Sequence, residues 1–148
     1  MRPVNRLRRW QRWTADTSGL ALLASGAFWL VVHYTVGAGS GDLPHPLEPW
    51  AMRLHGLAAM AALFAFGVMA AGHVPHGWRV TAARRGRTQR RLGVALLGLG
   101  ALLVLSGYLL YYFIPEGARP LTGWLHSGAG VLMAALLVWH RRHRLLRH

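Results

Sequence analysis

His55 and His73 stand eighteen residues apart in one long uncharged run of this chain, and His126 and His140 stand fourteen apart in another. On an α-helix each residue turns about 100°, so the first spacing returns to the same face and the second stops about 40° short of it. Each run therefore carries two imidazoles along one stripe. Neutral imidazole is a good axial ligand for haem iron, and one on each side of the ring fills its coordination sphere. Two helices running in the same direction would bring His55 level with His126 and His73 level with His140. That is the ligand set for two haem b groups. A haem held in this way has no open position for oxygen or substrate, so its chemistry is electron transfer. Histidine is costly inside a membrane and normally functional there.

The elements that must position these residues follow from charge placement. The sequence has 148 residues, 53% of them hydrophobic, and no cysteine. Uncharged stretches run over Thr17–Gly41, Leu54–Trp78, Leu92–Pro115 and Pro120–His140. Each supplies the roughly 20 mostly apolar residues that cross a bilayer as a helix. The expected architecture is all-α: an integral membrane four-helix up-down bundle with spans at about 17–39, 50–74, 91–114 and 121–141. Residues 1–148 form a single domain, with a basic segment at 1–13 and a basic tail at 141–148.

The net charge of +13 is not spread as on a nucleic-acid-binding face. Five arginines precede the first span, six lie between the second and third, and four follow the fourth, leaving only Arg53 and Arg119 on the other side. The positive-inside rule then places both termini in the cytoplasm and sets the arginines against anionic lipid. Nucleic acid is excluded as a partner. The basic segment before the first apolar run resembles a signal peptide, but the run is too long for a signal core, and it is read as a retained span. The absence of cysteine excludes disulfides, thiolate-held clusters and thiol catalysis.

Local signals mark the span ends. Thr14 or Asp16 can cap the first helix, which fades in "VGAGSGD", and the Pro-rich "GDLPHPLEPW" cannot continue it. Pro49 suits a first turn, "GHVPHGW" closes the second span, and the fourth begins near Leu121. A weak internal repeat links "ASGAFWLVVHY" to "LSGYLLYYF" and "RLHGLAAM" to "WLHSGAGV". A flat macrocycle between helices needs low side chains beside it, which Gly56 and Gly128 supply next to the histidines and Gly107 on the third span. Small residues at heptad intervals equally serve helix–helix packing. Arg53 and Arg119 are candidate counter-ions for haem propionates near the outer pair. The inner pair is the harder to align: about 21 Å separates the histidines on the fourth span and about 27 Å those on the second. His143 matches the longer distance but leaves the stripe, so His140 is taken as the inner ligand, with His143 as the alternative. His33, His45, His76 and His148, with His143 in its other reading, are interfacial.

The motifs "SGYLLYY", "PEGAR", "WLHSGAG" and "LVWH", over roughly Gly19 to His140, resemble the small membrane b-type cytochromes of the cytochrome b561 superfamily. That group includes the cytochrome b subunits of formate dehydrogenases and nickel–iron hydrogenases, and compact four-helix relatives defined only as a domain of unknown function. The His126 to His140 spacing matches the family's last haem-bearing helix, and His55 its second-helix ligand. The family often takes its inner ligand from the start of the first helix, where this chain has no histidine between Thr14 and Leu23. His73 would have to replace it, or the inner haem is absent.

The resemblance implies a di-haem subunit of the bacterial inner (cytoplasmic) membrane, exchanging electrons between the quinone pool and a redox partner protein. It would be an anchor for a separate catalytic protein rather than an enzyme in its own right. Two other readings stand beside it: a haem-free membrane scaffold, and a histidine-based metal-ion transporter or sensor. The last would need ligands clustered with carboxylates, and no carboxylate lies inside any expected span.

Overall fold

The computed structural model describes residues 8–80 and 87–145, apart from the side chains of 73, 76–80, 87, 89 and 143–145. Four long helices account for nearly all of them: α1 (Arg9–Val36), α2 (Leu47–Val80), α3 (Arg87–Tyr112) and α4 (Arg119–Leu145). Short 3₁₀ turns at Ala38–Ser40 and Glu116–Ala118 sit in the α1–α2 and α3–α4 connections. Each helix contains a segment long and apolar enough to cross a membrane. The chain is a multi-pass membrane protein.

The helix ends differ from the sequence expectation in two places. α1 begins at Arg9, before Thr14 and Asp16, because Gln11 reaches back to accept the Arg8 amide at 2.8 Å. Thr14 does not cap; its hydroxyl donates to the Trp10 carbonyl at 2.9 Å, one turn back. Thr17, Ser18, Ser25 and Thr35 do the same to the carbonyls of Trp13, Thr14, Ala21 and Val31. In an apolar solvent such back-bonding gives each hydroxyl a partner within its own helix. α2 runs through Pro75 to Val80 instead of closing near residue 74. Pro75 has no amide proton and so cannot bond the carbonyl one turn earlier, an interruption that membrane helices tolerate.

The connection after α1 needs glycine. A Cβ at Gly37 would run into the Glu48 carboxylate, and Gly41 takes a left-handed φ of 93° at the end of the 3₁₀ turn. Pro49 falls in the first turn of α2 and Pro120 in the first turn of α4, where a missing amide proton costs nothing.

The chain divides into two compact units, one of Arg6–Gly67 and the other containing Val68–His148. In the first, α1 packs on the beginning of α2, with Trp10 and Phe64 rings 6.4 Å apart near one end and His33 bonded to Glu48 near the other. In the second, α3 packs on α4. The least exposed positions recur at alternating three- and four-residue intervals. On α2 they include Ala51, His55, Ala58, Ala62 and Ala65. Ala51, Ala58 and Ala65, seven residues apart, are among the few buried apolar residues described. Small side chains at that interval let helix backbones approach closely. Large apolar side chains instead line the outside, such as Leu57, 67% exposed, and Met60, 72% exposed. Lipid chains solvate such a surface without the penalty that water would impose.

Candidate cofactor-binding site

His126 and His140 share one stripe of α4. On α4, His126, Gly130, Met133, Leu137 and His140 are all half-buried and follow one another at four, three, four and three residues. His55 lies on the buried stripe of α2. His73 is within α2, but its side chain falls outside the described residues, as does that of His143 on α4.

His55 and His126 share a setting. In the first unit, Nδ1 of His55 is 3.0 Å from the hydroxyl of Ser25 on α1. The Ser25 hydroxyl also lies 2.6 Å from the Ala21 carbonyl and 3.3 Å from that of Leu22, and donation to either leaves its oxygen to accept from the imidazole. The Leu22 carbonyl, on the same side of α1, is a further acceptor for this ring. Gly26 lies against the ring edge, where an added Cβ would come within 3.4 Å of Cε1.

In the second unit, Nδ1 of His126 is 2.7 Å from the hydroxyl of Ser106 on α3. Ser106 can direct its own proton to the Leu103 carbonyl at 3.3 Å. A Cβ at Gly107 would stand 3.3 Å from Cε1 of His126. The faint sequence repeat is thus a repeated contact. A Ser-Gly pair on the leading helix of each hairpin receives the histidine that opens the next helix, with the same nitrogen and the same ring edge turned toward it.

Gly107 is therefore a seat for an imidazole. Gly107→Val should push His126 away from Ser106 and destabilise the α3–α4 pairing by about 1–2 kcal/mol. Thermal denaturation in detergent reads this, with Gly98→Val as the control, since a Cβ there meets nothing within 4 Å. At Gly56 and Gly128, beside the two histidines, an added Cβ also meets nothing within 4 Å. Both are exposed positions. Arg53 lies over the Trp50 ring at 4.8 Å, and Nε of Arg119 donates to the Ile114 carbonyl at 3.1 Å. Each guanidinium is thus tethered close to the start of its helix.

A second cluster escaped the sequence reading. Glu48, only 8% exposed, accepts the Ala38 amide at 3.2 Å and the His45 amide at 3.0 Å with Oε1. Its Oε2 is 2.8 Å from Nδ1 of His33, whose ring stacks on Trp29 at 4.4 Å and meets Tyr34 edge-on at 4.8 Å. His33, assigned to the membrane interface by sequence, helps anchor the α1–α2 connection. In the sequence, only the neighbouring Pro49 carried a signal, that of a helix start. Among the described residues, no three histidine, aspartate or glutamate side chains gather as a metal-ion cage would require.

Compared with known proteins, the chain matches no family model, no curated protein and no solved structure.

Proposed function

We propose that this chain is a membrane-bound b-type cytochrome, an anchor and electron-transfer subunit that passes electrons between the quinone pool and a redox partner protein. One observation carries the reading. Two half-buried histidines, on two separate hairpins, each have Nδ1 tied to a serine while a neighbouring glycine leaves room for the ring. A histidine that ligates a metal commonly has its second nitrogen held by an oxygen acceptor, which fixes the tautomer and the ring plane. The donor set fits haem b: imidazoles held by neutral hydroxyls, on helices with few charges, favour a low-dielectric redox centre over a hydrated ion.

In this reading the four helices close into an up-down bundle with both termini in the cytoplasm of a bacterium. His55 and His126 hold the outer haem, and His73 and His140 the inner one, with His143 as the alternative inner ligand. Haem b bound by two imidazoles supplies a reversible one-electron couple and no open coordination position. The chain's own work is to hold four imidazoles, exclude water from them and offer Arg53 and Arg119 to the propionates. A site kept dry in this way would make the iron sensitive to nearby hydrogen bonds.

The test is the visible spectrum of the full chain, expressed with haem available and purified in mild detergent. The expected result is a red protein with the sharp reduced bands of a six-coordinate b-type haem, and with haem b extracted by the pyridine haemochrome assay. A folded but colourless protein overturns the reading.

A further inference from the structure

The two hairpins bind their histidines alike although the connections between the paired residues differ in length. Ser25 and His55 are thirty residues apart, and Ser106 and His126 twenty apart. In both, Nδ1 is the nitrogen turned toward the serine, and the Cε1 edge rests against the following glycine. A neutral imidazole carries its proton on one nitrogen and its lone pair on the other. Near an acceptor hydroxyl, the favourable arrangement keeps the proton on Nδ1. The arrangement is clearest at Ser25, whose own proton has an acceptor in the Ala21 carbonyl at 2.6 Å.

We infer that Ser25 and Ser106 are positioning residues, each accepting the Nδ1 proton of the histidine on the following helix and thereby making Nε2 the nitrogen offered to iron. This rests on the cytochrome reading and adds to it the residues that select the ligating atom and tune the iron. A hydroxyl accepting from Nδ1–H increases the basicity of Nε2, and a more basic ligand stabilises ferric over ferrous iron. Gly26 and Gly107 complete each seat, because a larger side chain would hold the ring away from its hydroxyl. Serine suits this task better than alanine or a carboxylate. Alanine leaves the ring proton without that acceptor, and a carboxylate would bring an ion into the membrane interior at a cost of several kcal/mol.

The experiment has two arms, both on the full chain in detergent. In the haem-loaded protein, Ser25→Ala and Ser106→Ala should each retain haem while its midpoint potential moves positive, and Ser25→Thr and Ser106→Thr should stay near the parent value. In protein made without haem and labelled with ¹⁵N-histidine, the ring nitrogens report the tautomer directly. His55 and His126 should carry the proton on Nδ1, and each alanine variant should move its own histidine toward the Nε2–H form. Potentials unchanged by both alanine substitutions at full haem content would overturn the inference. So would a parent protein whose two histidines are protonated on Nε2. If no preparation takes up haem, the cytochrome reading fails and the tautomer arm alone decides whether the serines set the proton.

Discussion

His126→Ala protein should lose the same haem that His55→Ala protein loses, and the double variant should lose no more than either. The expectation follows from the proposed function, in which His55 and His126 would together hold one haem. With either histidine removed, the haem would lose one of its two holders and its tight binding, so the second substitution would have nothing further to remove. Independent roles for the two histidines would instead give additive losses. His73→Ala and His140→Ala should form a second such pair, with His143→Ala reading the alternative inner ligand. The measurement is haem b per chain by pyridine haemochrome, together with the reduced spectrum of each variant. Retention of the full haem complement by both His55→Ala and His126→Ala would end the proposed ligand assignment. Because each ring is hydrogen-bonded to a serine on the adjacent helix, folding must be checked separately. His55→Gln and His126→Gln preserve a polar side chain there, and circular dichroism should show their helix content unchanged.

The second large effect concerns Glu48 and is independent of any cofactor. One carboxylate holds the amides of Ala38 and His45 and the imidazole of His33, and it closes the connection between α1 and α2. Glu48→Ala removes all of these at once and leaves two amides without their acceptor. Hydrogen bonds to a charged group are worth roughly 1.5–3 kcal/mol each. With water replacing part of the loss near the membrane boundary, a destabilisation of about 3 kcal/mol is expected. Glu48→Gln keeps one acceptor oxygen for the amides and should cost only about 1 kcal/mol. Thermal unfolding in detergent gives the order of the variants, and hydrogen exchange locates the change. Protection should fall at Ala38 and His45 in Glu48→Ala while α3 and α4 remain protected. A global loss of protection, or none at all, would contradict the local anchoring role.

Gly37 belongs to the same anchor. A side chain there would occupy the space of the Glu48 carboxylate. The run "VGAGSGD" reads in sequence as a place where a helix fades. Its more specific task, leaving room for an acid eleven residues later, depends on a fold-back that no local pattern encodes.

What the amino-acid sequence determined alone is the set of four membrane-length helices and the stripes on which His55, His126 and His140 lie. Both are sums over local properties. Apolar length and the absence of charge decide where a chain can cross a bilayer, and the helical repeat decides which residues share a face. The least exposed stripes of α2 and α4 accordingly contain His55, His126 and His140. Only the tertiary structure decided which polar group each histidine meets. That choice depends on the axial offset between neighbouring helices, which loop length and side-chain packing set together. Separations of thirty and twenty residues lead to the same serine–histidine contact. Spacing therefore could not disclose it, although both Ser-Gly motifs and both histidines were visible in the repeat. Glu48 and His33 were hidden for the same reason: their pairing is made by the turn between two helices, after each helix has already been specified.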